Sequence, residues 1–251
     1  MKILFKPQTE WLPPEEFKDL SSYDEIAIDL ETKDPELKTM GSGSVTGQAE
    51  IVGIALAVEG WSAYYPIAHE GGGNMDRKKV MDYFRTVLNY SSTKIFHNAM
   101  YDVCFIRAAG LKINGTIVDT MIAGSLVNEN RFRYDLGSLG RDYLGKGKNE
   151  AVLLETAKQW GIDPKSEMYK LPAMYVGEYA ERDAELTLEL WQEMKKQMLA
   201  EEVTSIFELE TELFPCLVDM RFLGVRVDVE AANQLKHKLL TEEKECLQKV
   251  K

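Results

Sequence analysis

The segment IAIDLET, residues 26–32, places two carboxylates in a sequence that otherwise has the pattern of a buried β-strand. Side chains alternate between the two faces of a strand, so the apolar residues of this segment point one way while Asp29 and Glu31 share the other face. Charges removed from water are costly unless they are paired or bound to a cation. The segment therefore predicts a positive charge beside Asp29 and Glu31, either supplied by this chain or recruited by it.

Composition limits the classes of protein that the chain can belong to. Its net charge of −11 argues weakly against a nucleic-acid partner, because phosphate contacts normally come from Lys and Arg. A carboxylate cluster that binds divalent metal would remove this objection, since the metal supplies local positive charge. Three widely spaced cysteines predict neither a disulfide framework nor a zinc site, and no apolar stretch reaches the roughly 18 residues of a membrane span.

The order of the predicted elements indicates an α/β fold. Apolar, β-branched segments predict strands around Asp29, at 50–58 and at 61–68, the last two joined by a tight turn at Glu59 and Gly60. Short strands follow before the sequence FHNAMYD and at TIVDT, and most of the remainder has a helical period. Early strands followed by strands that alternate with helices predict a mixed five-stranded sheet flanked by helices.

The C-terminal part is predicted to be helical. Helices are expected at 76–90, 177–200 and 203–222, and a final helix runs to the end of the chain without a stop signal, which is typical of a truncated sequence. Pro215 is expected to kink the third of these helices. Its apolar stripe is predicted at Ile206, Leu209, Leu213, Leu217 and Met220.

Two further acidic motifs accompany the strand carboxylates. Asp102, in FHNAMYD, opens a helix directly after a strand, and Tyr179 and Asp183 stand four apart on one helix face. Taken alone, each has an ordinary structural interpretation as a helix cap or a solvated face. Together, four carboxylates and a phenol on one sheet match what two-metal phosphodiester hydrolysis requires, with oxygen ligands that favour Mg²⁺ or Mn²⁺.

These three segments, in order and spacing, resemble motifs Exo I, Exo II and Exo III of the DEDD exonucleases, tyrosine subclass, which have the ribonuclease H-like fold. The similarity extends along nearly the whole chain to the 3′–5′ proofreading domains of family A DNA polymerases, especially those of phages. The segments that carry it include KIFHNAMYDVCFI and PAMYVGEYAERDAELTLELWQEM. The resemblance implies a 3′–5′ exonuclease at residues 1–202 and, at 203–251, the truncated start of a polymerase domain.

The resemblance also implies roles for individual residues. Asp29 would bridge two divalent ions, Mg²⁺ or Mn²⁺, and Glu31 and Asp183 would complete the site of the ion that activates water. Asp102 would hold the second ion through water, and Tyr179 would orient the attacking water. No histidine base is needed, because the metal lowers the pKa of its bound water.

Several residues near these motifs are weaker candidates. Asn98 matches a position that contacts the terminal nucleotide, with helix capping as the alternative. Thr32 and Leu37 are candidates for the same contact, with core packing as the alternative for Leu37. His97 is interpreted as a hydrogen-bonded core histidine, and Asp119 as the cap of the following helix.

The only locally basic region of the sequence could steer a nucleic-acid strand, although a solvated face is the preferred interpretation. It consists of Arg131, Arg133, Arg141, Lys146 and Lys148.

Three alternatives stay open at this point. The chain could be a DEDD ribonuclease that acts on RNA, since a sensor of the 2′-hydroxyl cannot be recognised in sequence. It could be an inactive nuclease-like module with a structural or strand-binding role, although such a module has no need of the whole carboxylate cluster. Its tail helices could also mediate association with a partner.

The preferred prediction is a monomeric cytoplasmic exonuclease without polymerase activity, in the host cytoplasm if a phage encodes it. Its partners would be a single-stranded 3′ end of DNA and a polymerase domain in cis.

Overall fold

The computed structural model describes residues 9–250, so residues 1–8 and 251 of the predicted domains lie outside the described range. Its strands form one mixed sheet in the order β3-β2-β1-β4-β5. β1 pairs antiparallel with β2 and parallel with β4, and the outer pairs are antiparallel β2–β3 and parallel β4–β5. The predicted five-stranded sheet is confirmed. The strands are β1 (Glu25–Lys33), β2 (Glu50–Val58), β3 (Trp61–Pro66), β4 (Thr93–Phe96) and β5 (Ile117–Asp119).

The helices follow the predicted order, with short 3₁₀ and π segments between them. The long helix predicted at 177–200 has the predicted bounds, and the one predicted at 76–90 begins after Asp76, whose side chain accepts from the Lys79 N–H as an N-cap. The helices are α1 (Leu37–Met40), α2 (Gly43–Thr46), α3 (Arg77–Asn89), α4 (Ala99–Ala108), α5 (Thr120–Val127), α6 (Leu136–Leu139), a π-helix (Gly140–Leu144), α7 (Ala151–Trp160), 3₁₀ turns (Met168–Lys170, Ala173–Tyr175), α8 (Gly177–Ala200), α9 (Thr204–Leu223) and α10 (Val229–Val250).

Small residues let α8 lie directly on the sheet. The side chains of Ala55 and Ala57 on β2 and of Ala180 and Ala184 on α8 belong to one buried core. α8 packs along β1, β2 and β3. Because alanines on both surfaces allow the backbones to approach closely, the polar residues of α8 come near the strands. This contact positions the third acidic motif over the first.

The helix α9 buries a different face from the predicted one. Phe207, Phe214 and Val218 are buried, and the Phe207 ring lies 5.5 Å from that of Trp191 on α8. The predicted stripe is exposed along its length, from Ile206 to Met220. The prediction of this stripe is wrong because a helical period identifies an apolar face but does not decide which of two adjacent apolar faces meets the core. The bulkier aromatic face is the one that packs.

Contacts divide the chain into two compact units, with residues up to Val218 in the first and Asp219 onward in the second. The core and all five strands belong to the first unit. The second consists of the end of α9 and the exposed helix α10. The predicted boundary between residues 202 and 203 stays a prediction.

A buried lysine connects the start of β4 to the turns around it. Lys94 is fully buried, and its ammonium donates to the carbonyl oxygens of Tyr90 at 2.6 Å, Ser92 at 2.9 Å and Asn114 at 2.8 Å. Three donors therefore meet three acceptors, which offsets the cost of burying the charge. Lys94 thus fixes the strand that leads directly to residues 97–102.

We expect Lys94→Met to destabilise the protein by about 2 kcal/mol or more, because three carbonyl oxygens lose their donor. Urea unfolding followed by circular dichroism measures this free energy. Lys78→Met, at an exposed position of α3, is the matched control. Equal stability of the two variants would contradict a structural role for Lys94.

Candidate active site

The first two carboxylates stand on β1 opposite the smallest residues of β2. Asp29 pairs with Ala55 and Glu31 with Gly53, and the register shifts between Glu31 and Thr32. Such a bulge bends a strand and redirects the side chains beside it. Glu31 is buried and Asp29 is partly exposed, so the pair opens to solvent through Asp29.

The third carboxylate is held against the same strand. Asp102, in the first turn of α4, is buried, and its Oδ1 accepts a hydrogen bond of 3.1 Å from the backbone N–H of Leu30. Leu30 lies between Asp29 and Glu31, so this bond ties the second acidic motif to the first. In the sequence FHNAMYD, α4 directly follows β4. Because β4 runs parallel to β1, α4 begins at the edge of the sheet where β1 also ends.

Asp119 shapes the turn that precedes α4. Its carboxylate accepts from the backbone N–H groups of Asn98 at 2.9 Å and Ala99 at 2.7 Å, and also from that of Met121 at 2.8 Å. The predicted capping of α5 is confirmed, and the same side chain also holds the start of α4. Asn98 has a left-handed backbone with φ of 66°, and its exposed side chain makes no capping hydrogen bond. The capping alternative for Asn98 is therefore wrong.

The fourth carboxylate and the phenol come from α8, together with a lysine. Asp183 is buried, and its Oδ2 accepts a hydrogen bond of 2.5 Å from Lys148 Nζ. The same ammonium donates to the Tyr179 hydroxyl at 3.3 Å. Asp183 Oδ1 is buried and has no hydrogen-bond partner. A buried carboxylate oxygen without a donor is costly, so this atom is open to a further ligand.

Burial and mutual repulsion control the charge of the cluster. Burial raises the pKa of Asp29 to about 7, and the charge of Asp183 adds to this effect while Lys148 opposes it. Burial, with the charge of Asp29 next, raises the pKa of Glu31 and Asp102 well above their ordinary values. Burial and repulsion therefore oppose the simultaneous ionisation of these carboxyl groups, and the single Lys148 charge only partly relieves this.

Near α8, the effects of burial and of neighbouring charges on the pKa values of Asp183 and Lys148 oppose each other. Burial raises the pKa of Asp183, and the Lys148 charge partly offsets that rise. For Lys148, burial lowers the pKa, but Asp183 and the strand carboxylates outweigh it, so the pKa of Lys148 is raised. Burial also raises the pKa of Tyr179 well above its usual range, which keeps the phenol protonated.

The donor set suits a hard divalent cation. All its ligand atoms are carboxylate or phenol oxygens, and the orphaned Asp183 Oδ1 is the kind of atom that such an ion satisfies. Within residues 9–250, no three His, Cys, Asp or Glu side chains are grouped tightly enough to hold an ion as they stand. Lys148 provides the positive charge at the centre of the cluster. Small shifts of side chains, with release of Lys148 from Asp183, would be needed to form a metal centre.

Lys148 is the residue whose role the sequence analysis missed. Of the basic residues predicted to form a solvated face, Lys146 pairs with Glu189 at 2.9 Å at the surface. The interpretation is wrong for Arg131, whose side chain is only 16% exposed and pairs with Asp142 at 2.6 Å. For Lys148 this interpretation is wrong, because its side chain is only 22% exposed and binds Asp183. The sequence predicts a positive charge beside Asp29 and Glu31, which is the one indication that such a lysine exists. The spacing of residues does not identify which lysine supplies the charge.

Tyr64 and His69 form a second layer behind the strand carboxylates. The Tyr64 hydroxyl lies 2.7 Å from His69 Nε2, and His69 Nδ1 lies 2.9 Å from the carbonyl oxygen of Leu171. A Cβ on Gly53 would come within 2.0 Å of the Tyr64 hydroxyl. Gly53 is therefore required for the ring of Tyr64 to lie across β2 beside Glu31. Neither Tyr64 nor His69 was a candidate from sequence.

The remaining candidates surround this cluster. The Thr32 hydroxyl lies 2.7 Å from that of Tyr101, the residue before Asp102. Leu37, at the start of α1, is 42% exposed, so the core-packing alternative is wrong for it. His97 Nδ1 lies 2.8 Å from the Thr120 hydroxyl, but its Nε2 is buried without a hydrogen-bond partner, so the expected hydrogen-bonded core histidine is met at one ring nitrogen only.

A mixed sheet with helices and four converging carboxylates defines a class of nuclease-like proteins, and comparisons with solved structures agree. Brucella melitensis NrnC with bound Mg²⁺ gives a TM-score of 0.60 at 18% identity, covering 82% of this chain and 89% of that one. Escherichia coli RNase D, described as an exoribonuclease, gives 0.53 at 16% identity over 82% of this chain and 47% of its own. These likenesses show the ribonuclease H-like fold.

The sequence places the chain within one branch of this fold. Residues 6–199 match the 3′–5′ exonuclease family found in A-type DNA polymerases. The chain belongs to this family, and the predicted resemblance is confirmed.

Its relatives are longer polymerases. A DNA-directed DNA polymerase of Pseudomonas phage M6 is 32% identical over 97% of this chain, which spans 38% of that protein. DNA polymerase I of Chloroflexus aurantiacus is 25% identical over 74% of this chain, which spans 20% of that protein. The chain thus spans little more than a third of the phage polymerase and less of the bacterial one. Between residues 9 and 250, none of the helices combines the length and apolar character that crossing a bilayer requires.

The buried His69 predicts a pH-dependent difference in stability. Burial lowers the pKa of His69 to about 4 from its ordinary 6.5, so the unfolded chain binds a proton before the folded chain does. His69 therefore stabilises the fold fully above pH 6.5, and its contribution is lost as the pH falls toward 4. We expect the advantage of the parent over His69→Gln to shrink over this range, by roughly 3 kcal/mol at most.

Urea unfolding at several pH values measures this difference, and groups that titrate in both proteins cancel. His237→Gln, at an exposed position of α10, is the control. An advantage that stays constant down to pH 4 would contradict a buried neutral His69.

Proposed function

We propose that this chain is a two-metal 3′–5′ exonuclease that removes nucleoside monophosphates from the 3′ end of DNA, as the proofreading part of a family A DNA polymerase. The observation that carries the proposal is the cluster itself. Three carboxylates and a phenol lie around Lys148, Asp102 adds a fourth carboxylate beside Asp29, and one buried carboxylate oxygen lacks any donor. A cluster of four carboxyl groups with only one lysine is suited to two divalent cations, which would stabilise the ionised carboxylates.

The four carboxylates would hold the ions, which are Mg²⁺ or Mn²⁺. Asp29 would face both, Glu31 and Asp183 would complete one ligand set, and Asp102 would serve the other through water. When bound, the ions lower the pKa of a water molecule and stabilise the charge that develops on the leaving 3′ oxygen. Asp102 is already fixed by the Leu30 N–H, so its other oxygen remains available.

Tyr179 would orient the attacking water by a hydrogen bond. Its hydroxyl stays protonated at neutral pH because burial raises its pKa. Lys148 anchors the same hydroxyl at 3.3 Å and so limits where the phenol can point. No histidine stands among these groups, and His97 is engaged by Thr120. Tyr179 therefore acts as an orienting group while the base function belongs to the metal site.

Family membership favours DNA as the substrate, because the relatives that cover most of this chain are DNA polymerases. An RNA substrate is the second candidate, and the likeness to RNase D shows only the fold. The polymerase relatives also support a polymerase domain in cis, with the helices after residue 202 as its beginning. This chain alone, acting as a monomer, would not synthesise DNA.

We expect a 5′-labelled single-stranded DNA to shorten one nucleotide at a time from its 3′ end in Mg²⁺ or Mn²⁺. Asp29→Ala should lower the rate at least a thousandfold while circular dichroism shows an intact fold, because the shared metal ligand is lost. Asp24→Ala, an exposed aspartate one residue before β1, is the matched control, and EDTA should stop the reaction. Full activity of Asp29→Ala would overturn the site, and faster cleavage of the equivalent RNA would favour the second candidate.

Lys148 gives a test of the metal site that does not depend on turnover. Its ammonium occupies Asp183 Oδ2, so an incoming ion must compete with it. Lys148→Met should therefore bind Mn²⁺ about tenfold more tightly in calorimetric titration at pH 8. Lys146→Met, which removes only the surface pair with Glu189, is the matched control. Unchanged or weaker binding by Lys148→Met would show that the lysine does not compete with the ion.

A further inference from the structure

The loop that connects α5 to α6, residues 128–135, presents a bare aromatic ring to solvent. Phe132 in this loop has an exposure of 103%, the highest of any large apolar side chain among the described residues. Its neighbours Arg131 and Arg133 are the first two residues of the basic region of the sequence. We call this segment the Phe132 loop.

The residues on both sides of Phe132 are held by the rest of the fold, although the Phe132 ring itself is fully exposed. The Arg131 guanidinium pairs with Asp142 at 2.6 Å and lies 5.5 Å from the centre of the Tyr143 ring. Arg131 Nε also donates to the Arg133 carbonyl oxygen at 3.3 Å. The Tyr134 hydroxyl closes the loop by donating to the Asn128 carbonyl oxygen at 2.8 Å. The chain thus holds Phe132 in a defined position.

The loop leads directly into the carboxylate cluster. The backbone of Tyr134 faces the His97 ring, and His97 precedes the turn that starts α4. After the loop, a Cβ on Gly137 would lie 3.4 Å from Asp135 Oδ1 and 3.8 Å from Cδ of Lys148, whose ammonium binds Asp183. The Tyr134 end of the Phe132 loop therefore lies beside the cluster, on the side of α6, two residues from Phe132.

We propose that Phe132 stacks on a base of the bound strand, upstream of the nucleotide being removed, with the Arg133 guanidinium facing an adjacent phosphate. This inference rests on the proposed function. Every base has a flat π-face, so an exposed aromatic ring binds single strands without reading sequence, and interleaved basic residues follow the backbone. The Arg133 side chain is exposed and its charge lies near that of Asp135.

Binding of single-stranded DNA in an Asp29→Ala background tests the stacking without cleavage. Fluorescence anisotropy with an eight-nucleotide labelled strand should show about tenfold weaker binding for Phe132→Ala, while a dinucleotide should bind equally to both. Phe132→Trp should keep the affinity, and its indole emission should be quenched by the strand. Leu199→Ala, which removes another exposed apolar side chain at the end of α8, is the matched control.

Abasic nucleotides placed one at a time along the strand locate the stacked base. At one upstream position the missing base should weaken binding about tenfold with Phe132 present and leave binding unchanged with Phe132→Ala. Equal losses in both proteins at every position, or an affinity of Phe132→Ala within twofold of the parent, would overturn the stacking.

The two proposals fail in distinguishable ways. If the Asp29→Ala parent binds the strand and Phe132→Ala binds it equally well, only the stacking is overturned, and the ring is then a contact of another kind, such as with a polymerase domain. If the parent does not bind single-stranded DNA at all, both the DNA exonuclease assignment and the stacking are overturned.

Discussion

Repulsion among four carboxylates, three of them buried, is the constraint on which the rest of the site depends. Two of the carboxylates are held by a donor, Asp102 by the N–H of Leu30 and Asp183 by Lys148, and the other two are positioned by the pairing of β1 with β2. Coulomb energies between like charges rise as water is excluded, so such a cluster persists only when the surrounding fold fixes its members independently. The sheet and α8 therefore contribute stability that the site itself opposes.

The geometry of the cluster is determined largely by residues without charge. Gly53 and Ala55 leave the surface of β2 open beside Glu31 and Asp29, and the bulge changes the direction of the strand at that point. Larger residues at these two positions would fill the space between β2 and α8, and Gly53 in particular has no room for a Cβ beside Tyr64. The sequence GIALA following a Gly-rich loop is thus as much a part of the site as the acidic motifs.

Local patterns were enough to predict the sheet, the bounds of α8 and the four acidic positions, because alternation, helical period and spacing are properties of neighbouring residues. The role of Lys148 depends on a contact with Asp183, 35 residues away, and the role of His69 on the carbonyl of Leu171, 102 residues away. No local sequence pattern around Asp183 or Leu171 identifies it as the partner of Lys148 or His69. The exposed stripe of α9 shows the same limit, since the burial of Phe207 depends on Trp191 of another helix.

The acidity of the chain is compatible with a polyanionic ligand because binding depends on local charge. With a net charge of −11, the protein as a whole does not attract phosphates from a distance. Under the proposed function, recognition would come from short-range terms: cations held by the carboxylates, the arginines of the Phe132 loop, and the Phe132 ring, whose stacking does not depend on charge. These terms act only on a strand end that enters the site. Under the proposed function, the negative net charge would disfavour duplex DNA that merely lies against the protein, so that binding would depend on a strand end at the site.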